Sequence, residues 1–241
     1  MADDCFAHPR LAALYDALDP DRTDLAAYLR IAEESEARRV LDIGCGTGVF
    51  ALLLAGRGID VVGVDPALAS LEVARAKQDA ARVRWIHGDA TGLPPLQVDL
   101  ATMTANVAQA IADPEAWEGT LRGAHEALRP GGRLVFETRD PAGRAWEEWT
   151  REHSYRVTRI PSVGPVESWV ELVEVSGPLV TFRSTYGFAA DGQVLTSDST
   201  LRFREREEVE QDLIARGYVV EEVRDAPDRP GREFVFLARR P

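Results

Sequence analysis

The chain has 241 residues, enough for one domain with a sizeable core plus a small appended subdomain, the arrangement we expect here. Its 40 Asp and Glu against 28 Lys and Arg give a net charge of −12, which opposes the counterion release that drives nucleic-acid binding and so disfavours an RNA or DNA partner. Cys5 and Cys45 provide neither a disulfide framework nor metal-ligand spacing, and no apolar run approaches the ~20 residues that cross a bilayer, so the expectation is a soluble cytoplasmic protein with no membrane partner and no metal.

Among the cations lysine occurs once, at Lys77, and this arginine skew with abundant alanine suggests a GC-rich bacterial genome. Residues 9–34 carry two amphipathic helical patterns, Leu11, Leu14, Tyr15 and Leu18, then Leu25, Tyr28, Leu29 and Ile31. Asp19-Pro20-Asp21 separates them. Val40 to Gly48, VLDIGCGTG, reads as a buried parallel strand running into Gly44, Gly46 and Gly48, followed by an apolar helix from Val49 to Ala55. Glycines at such a strand-to-helix turn bring bare backbone up to a ligand, in the manner of a nucleotide cradle. A dinucleotide fingerprint is GxGxxG, and Val49 stands where its third glycine belongs. Cys45, inside the loop, reads as a small apolar residue facing the sheet.

A second apolar strand, Ile59 to Val64, ends at Asp65, about 20 residues beyond the glycines. An acid there can accept both hydroxyls of a ribose, and the alternative is a bare helix cap. Pro66 is expected to open the following helix, Ala67 to Lys77. Strand three, Val83 to Ile86, leads to His87-Gly88-Asp89-Ala90, where Asp89 caps a turn or meets a ligand. Strand four is Val98 to Thr104, with Asn106 just past its end. A helix from Trp117 to Leu128, a turn at Arg129-Pro130-Gly131-Gly132 and strand five, Arg133 to Thr138, complete this half, and Glu137 and Arg139 finish that strand on the ligand side. From about Tyr155 to Arg204 the pattern changes to period-two alternation, which predicts an antiparallel insertion of three or four strands. A helix (Glu205 to Arg216) and two strands (Tyr218 to Val223, Glu233 to Ala238) close the chain.

An acid at Asp42 before a GxGxG ending, an acid at Asp65, an acid at Asp89 and LRPGG before strand five together make residues 40–140 closely similar to the class I S-adenosylmethionine-dependent methyltransferases. That resemblance implies an α/β fold, a Rossmann-like, mostly parallel seven-stranded sheet of order 3-2-1-4-5-7-6 with helices on both faces. Residues 1–154 and 204–241 would form the core with N-terminal lid helices, and residues 155–203 an antiparallel β insertion serving as substrate cap or dimerisation surface. It further implies that Asp42, Gly44, Gly46, Gly48, Asp65, Pro66, Asp89, Ala90 and Asn106 hold S-adenosyl-L-methionine, Asp89 and the Ala90 N–H serving the adenine. Tyr15, Asn106, Glu137 and Arg139 are the substrate-side candidates: Tyr15 as a lid phenol, Arg139 as a carboxylate ligand or the ion-pair partner of Glu137. His8, His87 and Glu137 are weak candidates for a base, and no catalytic residue is assigned. The implied activity is methyl transfer to nitrogen or oxygen of a small molecule by direct displacement, in a monomer or homodimer. The Asn/Asp-Pro-Pro-Tyr signature of nucleobase methylation is absent. A nicotinamide-dependent oxidoreductase and a non-catalytic cofactor-binding protein are the competing readings.

Overall fold

A computed structural model describes residues 2–241. Its main sheet has seven strands: β1 (Arg39–Ile43), β2 (Asp60–Asp65), β3 (Val83–His87), β4 (Val98–Met103), β5 (Leu128–Arg139), β10 (Val219–Asp225) and β11 (Glu233–Arg239). The spatial order is β10-β11-β5-β4-β1-β2-β3, and the expected order 3-2-1-4-5-7-6 follows when the seven are numbered alone. β1 to β5 run parallel, and β11 lies antiparallel between β5 and β10.

The apolar runs of the central strands are explained by burial on both faces. On β1 and β2, Leu41, Ile43, Val62 and Val64 pack to one side, with the helix Pro114–Ala127. Val40 and Val61 pack to the other, with the helices Leu25–Glu34 and Val49–Gly56. The Pro114–Ala127 helix starts three residues before the expected Trp117, because Asp113 accepts the Ala116 N–H at 2.8 Å as a cap and Pro114 takes the first helical position. β5 starts at Leu128, so the LRPGG segment is strand-like and reaches back along β4 and β11.

The alternating region forms a second sheet of four antiparallel strands, β6 (Arg156–Ile160), β7 (Gly164–Ser176), β8 (Leu179–Phe188) and β9 (Val194–Arg202), paired in chain order. The N-terminal pattern breaks into short turns of helix, Asp4–Ala7, Pro9–Ala12 and Tyr15–Leu18, ahead of the longer Leu25–Glu34. Leu11, Leu14 and Leu18 bury themselves against Ile160, Val166 and Phe188 of the second sheet. Cys5 N–H donates to Ser197 Oγ at 2.9 Å, and Arg10 pairs with Asp191 at 2.8 Å while lying over the Phe188 ring. The N-terminal turns and the second sheet therefore share one small core. None of the helices described is long and apolar enough to cross a membrane.

Candidate active site

A cavity of about 550 Å³ opens at the carboxyl ends of the parallel strands, the place where open α/β sheets bind ligands. Its floor is the glycine loop. Gly44, Gly46 and Gly48 all have left-handed backbones, with φ of 70°, 52° and 79°, but their reasons for lacking a Cβ differ. A Cβ on Gly44 would sit 2.5 Å from a Val107 methyl, and one on Gly48 would sit 2.4 Å from the Trp85 ring. Of the three, Gly46 alone has open space in front, with none of the described residues within 4 Å. A Cβ thus has room at Gly46, whereas at Gly44 and Gly48 its absence makes room for neighbouring side chains, a difference from the expectation that all three bare the backbone toward a ligand; Gly44 and Gly46 line the cavity and Gly48 does not. Cys45 is buried, close to Gly63, and burial pushes its thiol pKa upward, as befits a packing residue.

Asp65 ends β2 nearly buried. Its Oδ2 accepts the Gly46 N–H at 2.8 Å and its Oδ1 the Ala67 N–H at 2.7 Å. Each oxygen keeps lone-pair capacity for a further donor, so the carboxylate both fixes the loop and remains able to meet a diol. Pro66 also lines the cavity, but it does not open the next helix: Ala67 is extended and is the cap, and the helix is Leu68–Ala76. Asp89 accepts the Thr91 N–H at 2.8 Å and the Thr91 hydroxyl at 2.5 Å, and stays exposed at the cavity wall beside the buried Ala90. Asp42 is 1% exposed. One of its oxygens accepts the Thr102 hydroxyl at 3.1 Å, and the other is buried beside the glycine loop with no partner among the described residues. Burial raises this carboxyl to about 7. An orphaned buried acceptor at a cavity wall leaves an unmet demand for a donor.

Tyr15 lines the cavity with its ring tilted against Phe6, centroids 5.4 Å apart. Burial pushes its phenol up to about 12, so it is a neutral donor and no base at physiological pH. Its neighbour Asp16 turns to the glycine loop instead, accepting the Thr47 hydroxyl at 2.6 Å and pairing with Lys77 at 2.5 Å. This fastens the lid to the cradle.

The other substrate-side candidates lie elsewhere. Glu137 is 3% exposed and outside the cavity lining; it accepts the Tyr28 hydroxyl and, at 2.5 Å, the Asn106 N–H. Arg139 is also outside the lining, 3.6 Å from Glu233 rather than paired to Glu137. Asn106 contributes its backbone N–H to Glu137 while its neighbours Ala105 and Val107 face the cavity. His87 has a ring nitrogen 3.1 Å from the Pro66 carbonyl, and His8 accepts the Arg10 N–H at 3.2 Å as a helix cap. Neither lines the cavity. Sequence reasoning missed Phe6, Arg22, Asp113, Asp198 and Thr200, which do. Asp113-Pro114 was readable as a helix start, and the period-two alternation of β9 puts Asp198 and Thr200 on one face, but which way each looks is decided only by the tertiary fold.

An open sheet of this strand order with acids at the ends of β1, β2 and β3 around a glycine loop defines the class I S-adenosylmethionine-dependent methyltransferase fold. The family profile described as "Methyltransferase domain" matches residues 40–132. The chain is 34% identical over 119 residues to a cypemycin N-terminal methyltransferase of a Streptomyces species, covering 49% of each. Across curated relatives of this kind the matched stretch spans between 28% and 64% of their length. Among solved structures, the CcbJ methyltransferase of Streptomyces caelestis superposes with a TM-score of 0.79 at 20% identity, over 99% of both chains. The sugar N-methyltransferase KedS8 of a Streptoalloteichus species does so with 0.76 at 21% identity, over 94% of this chain and 90% of that one. Residues 40–132 therefore carry a methyltransferase domain, the chain as a whole has the fold of S-adenosylmethionine-dependent methyltransferases, and S-adenosyl-L-methionine is the cofactor that goes with this domain and fold.

Proposed function

We propose that this protein transfers a methyl group from S-adenosyl-L-methionine to a nitrogen or oxygen of a small molecule by direct displacement, with an amine the favoured acceptor. The observation that carries the reading is the orphaned Asp42 oxygen beside Gly46 and Asp65 in a cavity at the strand ends. These groups suit a ligand with an ammonium, a ribose and an adenine: Asp42 for the ammonium, Asp65 for the diol, Asp89 and the Ala90 N–H for the base. When bound, the cofactor supplies a sulfonium methyl that needs no further activation. What the chain must add is orientation and exclusion of water, and orientation alone is worth up to about 7–11 kcal/mol in favourable cases.

Among the described residues carboxylates dominate the lining, with Asp3, Asp42, Asp65, Asp89, Asp113 and Asp198 against the cation Arg22, and Asp198 is itself neutralised by Arg183 at 2.6 Å. Such a wall attracts cationic or amine groups and repels carboxylates, which also speaks against the notion of a substrate acid bound by Arg139. An amine needs only to bind in its neutral form, whereas a hydroxyl acceptor requires a base, and Tyr15 keeps its proton at physiological pH and cannot act as one. The names of two similar proteins, an N-terminal methyltransferase and a sugar N-methyltransferase, agree with an amine. Residues 155–203 act in this reading as a substrate cap, supported by Asp198 and Thr200 at the cavity wall. A monomer or homodimer in the cytoplasm, without nucleic acid, is part of the same reading.

Calorimetric titration with S-adenosylhomocysteine and with NAD, followed by a methyl-release assay over small amines and alcohols, tests it. Binding of S-adenosylhomocysteine and turnover of an amine are expected. NAD binding in its place restores the oxidoreductase reading, and binding without turnover leaves a non-catalytic cofactor-binding protein.

A further inference from the structure

The segment from Ala105 to Ala112 forms one wall of the cavity, through Ala105, Val107 and Ala110 to Ala112. It begins with two consecutive non-glycine residues in the left-handed region, Ala105 at φ 58° and Asn106 at φ 61°. Such residues persist only where their surroundings hold them. The surroundings are two buried charged side chains that themselves stay out of the cavity lining. At the start, Glu137 accepts the Asn106 N–H at 2.5 Å and is braced on its other oxygen by the Tyr28 hydroxyl. At the end, Arg204, 1% exposed, donates to the Ala108 carbonyl at 3.0 Å and to the Ile111 carbonyl at 2.8 Å, its guanidinium 4.4 Å over the Trp117 ring. Those are carbonyls that a short helical turn, here Val107–Ala110, leaves without partners. Between the two anchors Val107 rests on the bare backbone of Gly44. Arg204 also stands two residues past β9, the strand that carries Asp198 and Thr200, so the second sheet and this wall are held together.

We propose that Glu137 and Arg204 are positioning residues that set the 105–112 wall from its two ends, and that through it they align the methyl acceptor with the cofactor. The alignment part rests on the methyltransferase reading; the clamping part does not. Neither side chain is asked to touch a substrate. Glu137 is used as a hydrogen-bond acceptor in a fixed place, which a glutamine can reproduce toward Asn106 while its amide donates to the Tyr28 oxygen. Arg204 is used as a fork spanning two carbonyls, which a lysine point charge reproduces poorly.

The test compares E137L, E137Q, R204M and R204K with the wild type by amide hydrogen exchange of residues 104–112, by S-adenosylhomocysteine calorimetry, and by kcat and KM for an acceptor. E137L and R204M should lose protection in 104–112 while β1 and β4 keep theirs. Their turnover should fall on the order of tenfold to a hundredfold, as sub-ångström misalignment does, with S-adenosylhomocysteine affinity changed only a few fold. E137Q should recover most of both readouts and R204K little. Unchanged exchange in a folded E137L or R204M overturns the clamp, as does a loss spread over the whole sheet. Should E137L fail to fold, R204K carries the same readouts. Altered exchange with unaltered turnover removes the alignment step alone. A wild type that binds no S-adenosylhomocysteine refutes the methyltransferase reading while the exchange data still decide the clamp.

Discussion

Adding a methyl group at each loop glycine separates what the three positions do. Gly48→Ala combines a left-handed backbone with a Cβ 2.4 Å from the Trp85 ring, and should cost on the order of 3 kcal/mol of stability from backbone strain and overpacking together. Gly46→Ala meets none of the described residues within 4 Å, so about 1–2 kcal/mol for the backbone alone is expected, with the larger loss in S-adenosylhomocysteine affinity. Urea midpoints and calorimetry on the two variants give the order, and the reverse order would refute the division of roles. Asp65→Ala should weaken S-adenosylhomocysteine binding by about 1.5–3 kcal/mol, the range for hydrogen bonds to charged groups. It should also lower stability, because the Gly46 and Ala67 N–H groups lose their acceptor. Affinity unchanged in a folded Asp65→Ala protein would remove the ribose assignment. These residues were legible in the sequence because the glycines directly follow β1 and Asp65 ends β2, so position along the chain is position at the site. Glu137 and Arg139 also stand at a strand end, yet their partners are Tyr28, 109 positions away, and Glu233. No local pattern carries that information.

At the scale of elements, the strands and the order of the main sheet were readable because apolar runs, glycine turns and acids recur in a fixed sequence. The association of the N-terminal turns with the second sheet was not. Two amphipathic stretches each show an apolar face, but periodicity does not say which faces meet. Their shared core of Leu11, Leu14, Leu18, Ile160, Val166 and Phe188 means that cutting out residues 155–203 would strip the lid of its support and confound any test of a cap. Point substitutions are cleaner. Leu14→Ala should destabilise this small core by about 2–5 kcal/mol, as buried leucine truncations do. Limited proteolysis should then release the lid before the main sheet opens, and S-adenosylhomocysteine affinity should drop as Phe6 and Tyr15 lose their places. Simultaneous loss of both cores in one transition would show that they are a single cooperative unit.

For the molecule as a whole, two buried carboxyls each make a pH-dependent contribution to folding whose sign is definite. Burial raises Asp42 and Glu137 to about 7 in the folded protein, whereas an unfolded chain titrates them near their ordinary values of about 4. Between those limits the folded state binds more protons than the unfolded one. Their contribution is fully present below about pH 4 and is lost as pH rises toward 7. E137Q removes one of the two groups, so its stability relative to wild type should improve from pH 5 to about pH 7 and level off above that in urea titrations. A difference constant with pH would mean that Glu137 ionises normally.

β11 lies between β5 and β10, and this has a bearing on how the protein is made. Arg139 and Glu233 are partners in the sheet but lie 94 positions apart in the chain, from 139 to 233. On a ribosome adding ~5–20 residues per second, the far edge of β5 stays open for roughly 5–20 s after it emerges. During that interval β1 to β5 can pair and the β6-to-β9 hairpins can close on local contacts, while the bare β5 edge is exposed to strands of other nascent chains. Its protection depends on translation reaching residue 239, so a ribosome stalled between residues 140 and 230 would present the methyltransferase sheet with its adhesive side uncovered.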